Sequence, residues 1–268
     1  MRRFLARFSE GGGQAVIDPG TLPHLEIYLS GQRGFTPSGN LSALTNWADQ
    51  SGNGRNFTTI AGGTTNPIVL TSGVGLAAGI TCISISAGNT PRSIGNNGLP
   101  VGFTQARGTT QYILANLNVA NGNGLTLASW SVGAGAGPSL VLQATGFNGG
   151  PPGNAIWTSG TIPAGEAVDK FGSLGIDTLV ATPQQQWALW TLEVDANGGA
   201  SVWLNGALVN QINTSGTVYS LSTQMFLGGP STGNAQFGEV ALYLLYTDSH
   251  TAGQIAAVHG WIKGIYGY

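Results

Sequence analysis

A chain of 268 residues with 41% hydrophobic and only 7% charged side chains has ample material for a buried core and little ionic surface. A net charge of −2 offers no basic stripe for phosphates and excludes a nucleic-acid binder. The 44 glycines, about twice the usual ~7% share, follow no three-residue period, which excludes collagen and points to many tight turns.

Residues 1–22 read as an arm outside the fold: a basic, aromatic start runs into Gly11-Gly12-Gly13 and then Asp18-Pro19-Gly20. Three of the nine basic residues, Arg2, Arg3 and Arg7, lie here, leaving six basic against eleven acidic residues beyond them. The apolar stretch is too short for a signal-peptide core of ~7–15 residues, and no window approaches ~18 apolar residues. Neither export by a Sec-type signal nor a transmembrane helix is expected.

From residue 23 to 268 a single domain is expected, since all-β sandwiches routinely reach ~200–250 residues. Nine short runs alternate with period two or are rich in β-branched residues, each bounded by Gly, Pro or Asn: 25–29, 80–86, 111–118, 125–131, 139–143, 187–195, 201–204, 224–227 and 239–246. Nine strands suit two packed sheets better than one. Cys82 falls in the second run and is expected to be a buried thiol; a lone cysteine excludes an internal disulfide. The runs 187–195 and 201–204 flank Ala196-Asn197-Gly198-Gly199, a hairpin signal, and Asn205-Gly206 marks a second turn. Helical periodicity occurs only at the end, where Ile255, Val258, Ile262 and Ile265 share a face behind the capping box Thr251-Ala-Gly-Gln254, giving a helix over 251–265. Trp47, Trp187, Trp190 and Trp203 lie in or beside strand patterns and are expected in the core.

Three segments carry a family resemblance: Trp47-Ala-Asp49-Gln-Ser51-Gly52-Asn53-Gly54, the hairpin from Trp190 to Asn205-Gly206, and Gly238-Glu239-Val240-Ala-Leu-Tyr243 leading into the capped helix. In order and spacing they resemble the concanavalin A-like, laminin G-like superfamily, as found in extracellular modules and in phage virion proteins. The resemblance implies an all-β, antiparallel two-sheet jelly-roll sandwich. The recurring residues have a plain physical use. Asp49 and Asn53 are expected to bond their own backbone two residues on, and Gly52 and Gly54 to take φ angles closed to other residues, making a rigid turn behind the Trp47 anchor. A cluster of Asp and Asn oxygens also suits calcium, but one carboxylate is too few, so no metal and no cofactor is expected.

No catalytic residue emerges. A glycosidase of this fold needs paired carboxylates on one strand face, and the closest match, Glu193-Val-Asp195, lacks the further glutamate where Asn197 and Gly198 stand. Gly229-Pro-Ser231-Thr-Gly233 matches a nucleophile elbow as text but leads towards a strand instead of a helix. One cysteine and three scattered histidines give no zinc spacing. The glycosylation sequons at Asn40, Asn56 and Asn213 read as chance in an Asn- and Ser-rich chain without a signal peptide.

The expected function is therefore non-enzymatic: a virion structural protein assembled in the host cytoplasm, such as a phage capsid decoration subunit or a tail or fibre component. It would dock on capsid or tail proteins through Arg2, Arg3, Phe4, Leu5, Arg7 and Phe8. A surface this weakly charged lacks the repulsion that keeps particles apart, so much of it is expected to be covered by other protein, including copies of itself in a homo-oligomer, a trimer by family analogy. The alternative is a lectin-like module for host-surface glycans, with Trp130 or Trp157 stacking on a pyranose and Asn148 or Asn154 binding its hydroxyls. Neither nucleic acid nor membrane is expected as a partner.

Overall fold

The computed structural model describes residues 17–59, 66–71, 73, 75–85, 92, 94–96, 107–117, 125–131, 140–145, 154–159, 176–181, 186–197, 199–212, 224–227 and 238–268, with the backbone alone for 125–131, 140–145, 154–159 and 176–181. In chain order the described strands begin with β1 (Leu25–Ser30), β2 (Phe35–Thr36), β3 (Asn46–Trp47), β4 (Phe57–Thr58), β5 (Ile68–Leu70), β6 (Cys82–Ser84), β7 (Ile94–Asn96) and β8 (Thr109–Leu117). They continue with β9 (Leu125–Ser131), β10 (Leu140–Thr145), β11 (Asn154–Ser159), β12 (Ile176–Ala181), β13 (Trp187–Val194), β14 (Ala200–Leu204), β15 (Ala207–Ile212), β16 (Gln224–Leu227) and β17 (Gly238–Tyr246). The helix α1 (Ala252–Tyr266) follows.

Every pairing is antiparallel, and the strands form two sheets. The first runs β15-β14-β13-β8-β17-β6-β5, with β1 alongside β17; the second runs β12-β11-β10-β9-β16-β7-β4-β3-β2. The all-β two-sheet sandwich with one C-terminal helix is thus the fold of this chain.

The first sheet is the middle of three layers. On one face Ile27, Leu29, Ile113, Trp190, Leu192 and Tyr243 meet Trp47, Phe57, Ile94, Met225 and Leu227 of the second sheet. On the other, Tyr28, Tyr112, Leu114, Leu189, Leu242 and Tyr246 meet Ile255, Val258, Ile262 and Tyr266 of α1. Both faces being covered, β13 is buried at every position and β17 at all but Glu239. The sequence WALWTLEV reads accordingly as a near-continuous apolar run, as strands covered on both sides do.

Helix α1 begins as its sequence dictates: Thr251 accepts from the Gln254 N–H and the Gln254 side chain reaches back to the Thr251 N–H, closing the capping box. It stops at Gly267, in the left-handed region at φ 69°. Its far end returns to the first strand, where the Tyr266 hydroxyl lies 3.1 Å from Ser30 Oγ. The hairpin turn at Asn205-Gly206 takes positive φ at both residues (50° and 81°), as its sequence requires.

The Trp47–Gly54 segment closes the free edge of β1. Trp47 Nε1 donates to Ser30 O (3.1 Å), Gln50 N to Tyr28 O (2.7 Å), Ser51 Oγ to Glu26 O (3.1 Å) and Asn53 Nδ2 to Leu25 O (2.9 Å), while Tyr28 N donates to Asp49 Oδ1 (2.9 Å). Asp49 also accepts from Ser51 N, Ser51 Oγ and Arg55 N, so each carboxylate oxygen takes two hydrogen bonds from within the protein. Gly52 and Gly54 hold φ of 92° and 69°. Asn53 departs from the expectation, because its amide reaches across to β1 instead of bonding its own turn. Trp47 is fully buried and stacks on Phe35 at 4.8 Å between ring centroids.

The reading of residues 1–22 as an arm outside the fold does not hold for the last six of them. Residues 17–22 belong to the fold: Asp18 caps a short 3-10 turn at Pro19–Thr21, the Tyr246 hydroxyl donates to Pro19 O (2.9 Å), and Leu22 packs on the helix-side core. Residues 1–16, with all six docking candidates, lie outside the described residues. Trp187 and Trp190 are buried as expected, whereas Trp203 is half-buried beside the helix-side core. Cys82 is fully buried and burial pushes its thiol up, out of the reactive range.

Asp49→Asn retains one acceptor oxygen and loses about two of the four hydrogen bonds. It is expected to lower the unfolding free energy by about 2 kcal/mol in urea titration and to speed exchange of the Tyr28 amide; an unchanged midpoint would show that the edge closure contributes no stability.

Candidate functional site

Two places hold the residues from which function is argued. The first is the end of the first sheet where β13, β8 and the start of α1 meet. Antiparallel register sets Glu193 opposite Thr110 and Ser201. Glu193 Oε1 accepts from Ser249 Oγ, Thr110 Oγ1 donates to Asp248 O (2.8 Å) and accepts from His250 N (2.9 Å), and Tyr112 OH lies 2.8 Å from His250 Nδ1. Burial pushes the Glu193 carboxyl above the usual carboxylate range, the Ser249 and Ser201 hydroxyls pull it back, and Asp195 raises it again. Burial also holds the His250 imidazole down, to about 4, with Asp248 partly offsetting it.

These groups do not make a hydrolytic centre. The Ser249 hydroxyl is engaged by Glu193, while the His250 ring faces Tyr112, so the link from nucleophile to base that activates a serine is not made. Asp195 acts on Glu193 through its charge and is itself engaged in the turn. Asp195 Oδ1 accepts from Asn197 N (2.7 Å) and Gly199 N (3.0 Å), which fixes the hairpin turn. Sequence reasoning saw the two acids but missed Ser249, His250, Tyr112 and Thr110, whose separations of 56 to 140 residues leave no local signal. Among the described residues no group of three His, Cys, Asp or Glu side chains stands where it would hold a metal ion.

The second place is the end of the second sheet made by β9 to β12. Trp130 pairs with Met225, and Trp157 pairs with Leu142, which pairs with Ala128 opposite Leu227. Partners in an antiparallel ladder share a face, and Met225 and Leu227 lie in the inter-sheet core, so positions 130 and 157 have inward parity. Position 154 has the opposite parity. It falls with 141, 143, 145, 156, 158 and 177 on the outward side, where the sequence places Asn154, Gln143, Thr145, Thr158 and Asp177 beside Val141 and Ile156. The register thus separates Asn154 from the two tryptophans; Asn148 lies outside the described residues, as does the Gly229–Gly233 motif.

No protein-family model matches the chain, and no curated protein matches it. Solved structures do. The chain is similar to Domain 4 of AbnA, a GH43 extracellular arabinanase from Geobacillus stearothermophilus, in complex with arabinotriose: 16% identity, TM-score 0.58, over 88% of this chain and 98% of that one. It is similar to the botulinum neurotoxin type G receptor binding domain at 14% identity and TM-score 0.57, over 88% of this chain and 51% of that one. A Trypanosoma rangeli sialidase matches at 12% identity and TM-score 0.52, over 89% of this chain and 33% of that one. The chain therefore spans about half the length of the neurotoxin domain, a third of the sialidase and nearly all of the arabinanase domain. At these identities the likeness establishes a shared β-sandwich fold.

Because the folded state holds the Glu193 carboxyl above its unfolded value, its ionisation works against folding: its contribution is most favourable below the unfolded value of 4.5 and declines as pH rises through the folded one. Glu193→Gln keeps an oxygen for Ser249 and removes that decline. The variant is expected to gain stability relative to the parent as pH rises from 4 to 8, measured by thermal melts. A constant difference across that range would contradict the assignment.

Proposed function

We propose that this chain is a non-enzymatic carbohydrate-binding module. The observation that carries the reading is the match, over almost the full length of both chains, to an arabinanase domain whose structure holds arabinotriose. The receptor-binding neurotoxin domain of the same fold agrees with it. Chemistry of the outward positions on β10 to β12 supports it further: amides and hydroxyls at Gln143, Thr145, Asn154 and Thr158 both donate and accept, as sugar hydroxyls require, beside one acid at Asp177 and the apolar Val141 and Ile156.

A second reading, a virion structural subunit assembled in the host cytoplasm, is favoured by a different observation. The low charge suits a surface covered by other proteins, and the start of the chain concentrates Arg2, Arg3 and Arg7 around Phe4, Leu5 and Phe8, a composition suited to ordering on a partner. Particle subunits also touch host glycans, so the two readings are compatible.

Titration of the purified chain with soluble arabinan and a panel of other polysaccharides, by calorimetry and affinity electrophoresis, is expected to give saturable binding. Gln143→Ala and Asn154→Ala should each weaken it about tenfold, near 1.4 kcal/mol. Absence of binding across the panel, with copurification on capsid or tail proteins that is lost on deleting residues 1–16, would establish the structural reading instead.

A further inference from the structure

We propose that His250 is an acid-operated latch between α1 and the first sheet: protonation of its ring releases the helix layer while the core between the sheets stays closed. The geometry that carries this is the way His250 joins the layers. It stands between the end of β17 and the helix cap at Thr251 and is only 5% exposed. Its main-chain N–H donates to Thr110 Oγ1 and its ring meets the Tyr112 hydroxyl, both on β8. The same ring packs on Tyr246 of β17 at 4.3 Å between centroids, and Tyr246 in turn donates to Pro19 O. The ring thus anchors the link between β17 and α1 on two central strands, one of which also holds residue 19 through Tyr246.

Every element around the ring weighs on its charge. Tyr112 and Thr110 from β8 and Tyr246 from β17 are neutral, and burial among them penalises a cation. The start of α1 adds its own free N–H groups, with no acidic side chain in the first turn to offset them, so a positive charge one residue before the cap opposes the helix dipole. Arg107, whose carbonyl accepts from Ser249 N, brings a cation to the same end, where it pairs with His24 at 2.8 Å. Against these stand Asp248, which favours the cation, and Glu193 from β13, whose Oε1 is taken by Ser249. Farther along α1, Lys263 adds a cation, and His259 is itself held down by burial and by Lys263, a second acid-sensitive group on the helix.

The sign follows. A histidine held below its unfolded value contributes full stability above about 6.5, and that contribution is lost as pH falls towards about 4. The ring's contacts, Tyr112 and Tyr246, belong to the helix-side core that α1 covers, and neither belongs to the inter-sheet core. This inference is independent of any glycan site, since it uses none of the outward positions on β10 to β12.

Amide exchange of the full chain, corrected for intrinsic rates, tests it. Between pH 6.5 and 4, protection of the α1 amides is expected to fall on the order of 100-fold, while amides of Ile113 and Tyr243 keep theirs. Ring resonances of His250 should titrate with the same midpoint. His250→Gln should remove most of the step, and His259→Gln should leave most of it in place. A flat response in α1, simultaneous loss in helix and strands, persistence of the step in His250→Gln, or titration of His250 near 6.5 without change in α1 would each overturn the proposal. Should His250→Gln fail to fold, the coincidence of ring titration and helix exchange in the unsubstituted chain decides alone.

Discussion

The constraint from which the rest of the structure follows is that the first sheet is covered on both faces. Water reaches little of β8, β13 or β17, so their backbone groups must find partners inside the protein. Register supplies most of these. Beyond the ladders, the Trp47–Gly54 turn serves the outer edge of β1, and the Ser249–Glu193, Tyr112–His250 and Tyr243 OH to Gln111 Oε1 (2.9 Å) contacts serve side chains, while Thr191 Oγ1, Gln111 Nε2 and Trp190 Nε1 are buried with no hydrogen-bond partner among the described residues. The motif that carries the family resemblance is, in this light, an edge closure. It denies a neighbouring chain the unpaired groups of β1.

How much of this was legible in the residues depended on sequence distance. The strands β13 and β17 and the helix declared themselves, because long apolar runs and a capping box are local signals. Strands of two or three residues, such as β2, β3, β4 and β7, did not, since so short a pairing leaves no periodicity and is imposed by neighbouring strands. Within the turn, the bond from Ser51 N to Asp49 was readable at a separation of two, whereas the partner of Asn53 lies 28 residues earlier. The cluster at Glu193 was half visible: the acids stood together in the sequence, but the residues that define their surroundings arrive from β8 and the approach to α1. Position 154 could be separated from positions 130 and 157 only once the ladders were known.

The two ends of the sandwich divide the chemistry. Around Glu193 the groups are buried, mutually bonded and committed to holding the helix layer in place. On the outward side of β10 to β12 the sequence places amides and hydroxyls beside Val141, Ile156 and Asp177.

The return of Tyr266 to Ser30 and Gly31 joins residues 236 and 235 positions apart, and β1 finds its partner strand only at Gly238–Tyr246. Contacts of such separation make for slow closure. During synthesis the opening strand must therefore wait, unpaired, until more than two hundred further residues have left the ribosome. Its edge closure is encoded within the next thirty, so β1 has a local chaperone of its own long before its permanent neighbour is made.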